Sequence, residues 1–174
     1  MNRKDAQNIS ILTAERREIP RVRDILFAII DEIDIYNELA KNYERELYSL
    51  EYLHSLVEED AFSILVAKRE NEICGFVITK PDNGPIWLCW FGVAPGARGL
   101  GVGARLIDGT VKFAEKRGVY KIWCDTRTNN RFSIPIMTSF GFEKLARLDN
   151  HWCHQDYFLW QKFIGDKEID REQD

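Results

Sequence analysis

Three glycines alternate in a segment that joins an apolar strand to an amphipathic helix. They are Gly99, Gly101 and Gly103, in the stretch from Val93 to Ala104. Because glycine has no Cβ, a ligand can approach the main chain closely at these positions. The start of the following helix offers unpaired backbone N–H groups and the positive end of the helix dipole. These features favour binding of a phosphate or diphosphate, and a flexible turn that caps the helix is the alternative.

The glycine spacing differs from two common phosphate-binding motifs. A Walker A loop ends in Gly-Lys followed by Ser or Thr, whereas Gly103 precedes Ala104 and Arg105. A dinucleotide-binding fingerprint has the spacing GxGxxG, whereas the spacing here is GxGxG. Six basic residues against two acidic ones lie between Arg98 and Lys121. This surplus suits an anionic ligand, and it equally fits an ordinary helix surface.

The composition of the chain excludes several classes of protein. Its 174 residues, 45% of them hydrophobic, are enough for a core and predict a single domain over residues 1–174. A formal net charge of −4 argues against a nucleic-acid-binding protein. No apolar run approaches the ~20 residues that span a bilayer, and the polar N-terminus leads into no secretory segment. We therefore expect a cytoplasmic protein that binds neither nucleic acid nor membrane.

The cysteines indicate a reducing environment rather than a disulfide or metal framework. Cys74, Cys89, Cys124 and Cys153 are far apart in sequence and form no CxxC pair. We expect buried, reduced thiols, in keeping with a cytoplasmic protein. Histidines lie close to Cys153 on either side, but a strand there would turn the two histidines to opposite faces, so no metal site is expected.

Apolar periodicity and turn residues predict an α/β (mixed α+β) fold, in which helices cover a mixed sheet. Strands are predicted over residues 9–13, 62–67, 73–79, 86–93, 120–125, 142–147 and 152–163, and helices near 20–30, 47–57, 101–117 and 132–140. The strand 86–93 is continuously apolar, so we expect both of its faces to be buried. The charged tail, residues 165–174, is expected to fray.

The region from Asp31 to Asp60 contains ten acidic residues and two basic ones. A solvated helix face would explain this bias. The functional alternative is an acidic surface that attracts a cationic substrate. The sequence alone leaves both alternatives open.

The glycine segment resembles motif A of the GCN5-related N-acetyltransferases (GNAT), whose pattern is V-x-P-x-x-[RQ]-x-x-G-x-[GA]. Every position is filled in register, by Val93, Pro95, Arg98, Gly101 and Gly103. A second stretch, residues 130–142, is similar to the family pattern N-x-x-A-x-x-L-Y-x-x-x-G-F at its first position and at its final Gly-Phe. The resemblance covers roughly residues 9 to 163, and before residue 60 only the pattern of strand and helices is similar.

The resemblance implies a twisted sheet of about six to seven strands, flanked by about four helices, with two central parallel strands that splay apart. GNAT enzymes bind acetyl-CoA in that gap, so acetyl-CoA is the expected co-substrate, and no metal is implied. The pantetheine would pair with the backbone around Phe91 and Val93 as an added strand, and Asn130 would touch the coenzyme. The pyrophosphate would take N–H groups from Arg98, Gly99, Leu100, Gly101, Val102, Gly103 and Ala104.

The acid–base chemistry is less clearly marked. An attacking amine must lose a proton, which a nearby carboxylate can accept. The resemblance to N-terminal acetyltransferases indicates Asp125 as this base, and a cap of the following turn is the alternative role. Met137 stands where many relatives have the tyrosine that protonates the CoA thiolate, and a thioether cannot donate a proton. Either the thiolate leaves unaided, or Tyr157 on the last strand acts as the acid.

The sequence therefore predicts an N-acetyltransferase that moves an acetyl group from acetyl-CoA to a primary amine. The acceptor is a protein N-terminal amine, which Asp125 favours, or a small cationic amine, which the acidic region favours. A non-catalytic acyl-CoA-binding or sensor module is the alternative, because Met137 in place of the catalytic tyrosine could mean that activity has been lost. A third interpretation, a generic nucleotide-binding α/β protein, would require binding of ATP or NAD without CoA. Because relatives often dimerise, a homodimer is among the expectations.

Overall fold

The structure, a computed structural model, describes residues 8–165 of the chain. These residues form a seven-stranded sheet in the order β1-β2-β3-β4-β5-β7-β6. The strands are β1 Ile9–Thr13, β2 Ile64–Arg69, β3 Glu72–Pro81, β4 Ile86–Val93, β5 Lys121–Arg127, β6 Glu143–Leu148 and β7 Tyr157–Phe163. All neighbours are antiparallel except β4 and β5, which are parallel. The predicted mixed sheet is confirmed.

Five helices flank this sheet. They are α1 Ile19–Glu32, α2 Glu38–Leu47, α3 Leu50–Glu59, α4 Val102–Lys116 and α5 Ser133–Ser139. The prediction of a single helix near residues 47–57 was wrong, because two helices meet there. Asn37 begins α2 and Ser49 begins α3, since each side chain accepts a hydrogen bond from the backbone N–H three residues later.

Two hydrophobic cores lie on opposite faces of the sheet. One core forms under α1 and α3, around Leu26, Leu53 and Phe76. The other forms under α4 and α5, around Leu106 and Met137. The central strands are therefore covered from both sides, as expected of a mixed sheet with helices on its faces.

Strand β4 has one extra residue relative to β3, and this residue is Cys89. Ile78 pairs with Trp90 whereas Thr79 pairs with Leu88, so the register shifts by one residue at Cys89. Such a bulge bends the strand, and a shift of one residue exchanges the faces to which side chains point. Accordingly, Leu88 belongs to the core under α4, while Trp90 belongs to the core under α1.

The two parallel strands separate soon after they begin. They pair only at Ile86 with Ile122 and at Trp87 with Trp123. Beyond these pairs β4 and β5 diverge, as the family resemblance predicted. The expectation that both faces of β4 are buried was wrong. Every second residue from Trp87 to Val93 is only half-buried, because β4 borders the gap.

A tight turn replaces the first part of the predicted last strand. The prediction of a strand from Trp152 was wrong, since β7 begins at Tyr157. Cys153 and His154 have φ angles of 51° and 57°, in the left-handed region, so the chain is not extended there. The expectation of no metal site assumed a strand here, so its reasoning from strand faces does not apply. Within residues 8–165, no group of three His, Cys, Asp or Glu side chains is placed to hold a metal ion.

The four cysteines are free thiols that differ in burial. Cys74 and Cys124 are buried, as predicted, whereas Cys89 and Cys153 are only partly buried. Of the helices between residues 8 and 165, none is long and apolar enough to cross a membrane. The tail for which fraying was predicted lies, from residue 166 onward, outside the described residues.

Gly92 allows α1 to approach β4 closely. A Cβ built at Gly92 would lie 2.5 Å from Cδ1 of Ile29 and 2.8 Å from Cε1 of Phe76. We expect Gly92→Ala to lower the free energy of unfolding by about 1–3 kcal/mol through overpacking, measured by thermal unfolding. Gly96→Ala is the matched control, because a Cβ there meets nothing within 4 Å. Equal melting temperatures for the two variants would contradict this account of the α1–β4 contact.

Candidate functional site

A cavity of about 730 Å³ occupies the gap between the diverging strands. Its walls come from β4 between Leu88 and Val93, from the glycine segment, from the end of β5 and from α5. The segment that joins α1 to α2 closes another side with Ile33, Asp34 and Tyr36. Because helices on both faces of the sheet contribute to the walls, the cavity connects the two faces through the sheet.

The glycine segment forms one end of the cavity. Gly99 and Gly101 both have φ +78°, and a Cβ at either position would meet nothing within 4 Å. This conformation favours glycine, and the main chain there is open to a ligand. Gly101 is also the N-cap of α4 and brings no side-chain hydrogen bond, so the first N–H groups of α4 are left without a side-chain cap. The bare helix start can therefore bind an anion.

Gly103 also lines the cavity, and its missing side chain serves packing as well. A Cβ at this position would lie 3.0 Å from Cδ1 of Ile136 in α5. The absence of a side chain therefore lets α4 and α5 pack together. Of the residues expected to bind the pyrophosphate, Leu100 alone does not line the cavity, whereas Arg98, Val102 and Ala104 do.

Two arginines of the cavity are already paired with acidic residues. Arg98 Nη1 lies 2.9 Å from Glu32 Oε2, and Arg131 Nη2 lies 3.4 Å from Asp34 Oδ2. All four side chains are close to half-exposed or more. A ligand phosphate at the glycine segment would therefore compete with Glu32 for the charge of Arg98.

Asn130 lines the cavity, but its side-chain oxygen is occupied. This oxygen accepts hydrogen bonds from the backbone N–H groups of Phe132 at 3.1 Å and Ser133 at 2.9 Å. The contact begins α5 in the way that an N-cap residue does. A role for Asn130 toward the coenzyme, as the resemblance implied, stays a prediction.

Asp125 lies within β5, two residues before its end, and its carboxylate lines the cavity. Since β5 continues to Arg127, Asp125 does not cap a turn after the strand. Burial raises the pKa of Asp125 to about 6, while a hydrogen bond from Trp152 and the charge of Arg127 pull this pKa down. At neutral pH the carboxylate is therefore mostly ionised, with a proton affinity suited to a general base.

Glu44 is a second carboxylate near the cavity, and the sequence analysis missed it. Its Oε2 accepts a 3.0 Å hydrogen bond from Nε1 of Trp90, a cavity residue. Burial raises the pKa of Glu44 to about 7, the Trp90 bond opposes the shift, and the charge of Asp125 adds to it. Helical spacing was an available signal, because Ala40, Glu44 and Tyr48 recur every four residues, and Ala40 and Tyr48 are buried.

The stability of the protein should depend on Glu44 in a defined pH window. The folded state holds the Glu44 proton up to about pH 7, against an ordinary pKa of 4.5, so stability falls as the pH rises through this window. At pH 8 we expect Glu44→Gln to stabilise the fold by roughly 1 kcal/mol, or about 2–4 °C in melting temperature.

The advantage of Glu44→Gln should vanish below about pH 4.5, where the carboxyl is protonated in both states. Glu46→Gln, at an exposed position of the same helix, is the control and should change the melting temperature little at any pH. A Glu44→Gln variant with no gain in stability at pH 8 would contradict the burial cost assigned to this carboxylate.

Of the tyrosines near Asp125, Tyr36 lines the cavity and Tyr157 does not. Burial raises the pKa of Tyr157 to about 12, and its hydroxyl is hydrogen-bonded by Arg127. Burial, with the charge of Glu44, also raises the pKa of Tyr36 well above its ordinary range, so Tyr36 keeps its proton at neutral pH. The role of Tyr157 as acid stays a prediction, and Tyr36 is the tyrosine that the cavity presents.

Met137 lines the cavity from α5 and is fully buried. Its sulfur lies 3.9 Å from the thiol sulfur of Cys124, on the α4–α5 side of β5. Burial raises the pKa of the Cys124 thiol well above its ordinary value, and the charge of Asp125 adds to the shift. Neither sulfur group is suited to protonate a leaving thiolate, as the sequence predicted for Met137.

Much of the acidic region is neutralised by ion pairs. Six of its ten carboxylates are paired: Asp31 with Arg45, Glu32 with Arg98, Asp34 with Arg131, Glu38 with Lys41, Glu58 with Arg16 and Asp60 with Arg117. These pairs reduce the negative potential that a cationic substrate would meet. The solvated-face interpretation therefore fits the acidic region better than an attractive acidic surface.

Two loops are joined beside the Asp125 end of the cavity. Asn37 donates a 2.8 Å hydrogen bond from Nδ2 to the carbonyl of Cys153, and Gln155 donates a 3.3 Å bond to the carbonyl of Ile35. The loop before β7 is thereby held against the α1–α2 connection. The same loop carries Trp152, whose side chain hydrogen-bonds Asp125.

Comparison with known proteins agrees with these features. The sequence model of the Acetyltransferase (GNAT) family matches residues 28–142. No curated protein matches the chain at a significant level.

Solved structures share the whole fold at low sequence identity. Ard1 from Thermoplasma volcanium has a TM-score of 0.74 at 18% identity, over 91% of this chain and 99% of its own. The PaiA N-acetyltransferase from Thermoplasma acidophilum, in complex with coenzyme A, has 0.74 at 19% identity, over 89% and 98%. YncA from Salmonella typhimurium, with its cofactor acetyl-CoA, has 0.72 at 14% identity, over 94% and 98%.

Proposed function

Because the chain belongs to the acetyltransferase (GNAT) family, we propose that it transfers an acetyl group from acetyl-CoA to a primary amine. The observation that carries this proposal is the cavity through the sheet, which has bare amides at the start of α4 on one side and Asp125 on the other. An anionic coenzyme and a proton-accepting site for an amine can thus meet between β4 and β5.

The coenzyme would lie on the α4 side of the gap. Its diphosphate would bind the N–H groups from Arg98 to Ala104, where Gly99 and Gly101 leave the main chain open. The pantetheine would extend along β4 beside Phe91 and Val93, whose neighbouring edge β5 leaves free after the splay. The PaiA structure in complex with coenzyme A and the YncA structure with acetyl-CoA support this choice of coenzyme.

The chemistry follows from the position of Asp125. The amine nitrogen attacks the thioester carbonyl carbon, a C–N bond forms, and the C–S bond then breaks. Asp125 accepts the proton that the nitrogen loses, directly or through a water molecule. The CoA thiolate, whose free pKa is about 8.5, takes its proton from solvent. Met137 takes no part in proton transfer.

A release assay for CoA tests the proposal. The protein is incubated with acetyl-CoA and a panel of primary amines, and free thiol and acetylated product are measured together. We expect release of CoA that depends on the amine and matches the product formed. Tight binding of acetyl-CoA without transfer to any amine would instead support the alternative function, a non-catalytic acyl-CoA-binding module. Binding of ATP or NAD without CoA would contradict both functions.

A further inference from the structure

Arg127 is a buried cation in the wall of the cavity. It is the last residue of β5 and only 6% exposed. Its guanidinium lies 5.0 Å from the ring centre of Tyr157 and 5.8 Å from that of Tyr36, on the face of the sheet that α1 and α3 cover. These rings hold the group in one place without neutralising it.

Two of the three guanidinium nitrogens lack partners among the described residues, although the group hydrogen-bonds the hydroxyl of Tyr157. Within residues 8–165, Nε and Nη1 have no hydrogen-bond acceptor, and no carboxylate forms an ion pair with Arg127. Asp156, a carboxylate of the adjacent loop, forms its ion pair with Arg147 instead. A buried charge left in this state is costly, so the cavity presents an unfilled site for an anion.

The coenzyme is not placed to fill this site. The bare N–H groups that suit its diphosphate belong to α4, on the opposite face of the sheet. A polyamine would not fill it either, because its positive charges would be repelled by Arg127. The site therefore belongs to the acceptor side of the cavity.

Asp125 lies two residues before Arg127 on the same face of β5, so their Cα atoms are roughly 7 Å apart. One wall thus offers a carboxylate beside an arginine, which is complementary to a molecule with an amine beside a carboxylate. The planar guanidinium matches a carboxylate with two parallel hydrogen bonds.

We propose that the acceptor is a free amino acid, whose amine faces Asp125 while its carboxylate binds Arg127. This inference rests on the proposed acetyl transfer and names its substrate class. A peptide N-terminus is the nearest competitor, since it has the same amine but a neutral amide in place of the carboxylate. An amino acid amide reproduces that difference without changing the side chain.

The test compares each of the twenty L-amino acids with its amide in the CoA-release assay. For at least one amino acid we expect kcat/KM to exceed that of its amide by roughly 10–100-fold, the usual strength of a charged hydrogen bond. Arg127→Gln should reduce this ratio to about one, and Arg127→Lys should retain part of the preference. Arg16→Gln is the control and should keep the ratio, because Arg16 is exposed, is paired with Glu58 and lies outside the cavity.

Transfer to amides or other amines without any preference for the carboxylate would overturn the inference and leave the proposed function intact. A preference that survives Arg127→Gln would overturn it as well. If no amine accepts an acetyl group, the proposed function fails. A binding experiment then tests the role of Arg127 separately. In that case CoA-loaded protein should bind N-acetyl amino acids, but not their amides, in calorimetry, and Arg127→Gln should abolish this binding. Equal binding of both would overturn the assignment of Arg127.

Discussion

Gly101→Asp should weaken the binding of CoA about 100-fold relative to Gly101→Asn. A carboxylate at this position would lie near the expected diphosphate, and two charges about 5 Å apart repel by roughly 3 kcal/mol at an effective dielectric constant near 20. Gly101 is the N-cap of α4, with φ +78° and open space where a Cβ would be. The affinity of each variant for CoA is measured by calorimetry.

Asn is a suitable control because it differs from Asp in charge and hardly in shape. Both residues tolerate a left-handed backbone better than other non-glycine residues, so the strain at φ +78° should be nearly the same in the two variants. A difference in affinity can then be assigned to charge rather than to strain. If the two variants bound CoA equally well, no phosphate would lie at the start of α4, and the proposed coenzyme site would have to be abandoned.

Asp125→Asn should lower kcat/KM by about 10²–10⁴ at pH 8, the usual contribution of a general base. The pKa of Asp125 is raised to about 6 by burial, so the wild type loses its base as the pH falls through 6. The two proteins should therefore differ most above pH 7 and converge below pH 5. Initial rates between pH 5 and 9, with a fixed acceptor, measure this convergence.

Stability separates a catalytic defect from a folding defect in the same variant. Because the raised pKa means that the ionised Asp125 side chain costs stability above pH 6, Asp125→Asn should melt no lower than the wild type at pH 8. Asp108→Asn, an exposed pair partner of Lys112 on α4, is the control and should keep full activity. An Asp125→Asn enzyme with the wild-type pH profile would remove Asp125 from the mechanism.

Local patterns in the sequence predicted the coenzyme half of the site. The glycine segment lies between an apolar strand and an amphipathic helix, and the structure has β4 over the predicted residues and α4 within one residue of them. Positive φ angles at Gly99 and Gly101 are a local property of the main chain, which residue type indicates directly. For the same reason Gly118, which follows the end of α4, has φ +67°.

The acceptor half depends on contacts between distant segments, which a pattern of single residues does not show. Glu44 is important because Trp90, 46 residues later, donates to it. The bulge at Cys89 is visible only in the pairing with β3, and the break between α2 and α3 needed the cap at Ser49. In the sequence, Arg127 is one charged residue shortly after the predicted strand 120–125. Only its burial in the structure distinguishes it from the exposed arginines.

The hydrogen bonds that join the α1–α2 connection to the loop before β7 limit how acceptor preference can change between related proteins. Both segments lie outside β4 and α4, so they can be exchanged without disturbing the coenzyme half. Each loop donates a bond to a main-chain carbonyl of the other, at Cys153 and at Ile35, so only a joint replacement keeps the contact intact. Chimeras within this family should therefore inherit the two loops together, and single-loop grafts should lose the positioning of Trp152 against Asp125.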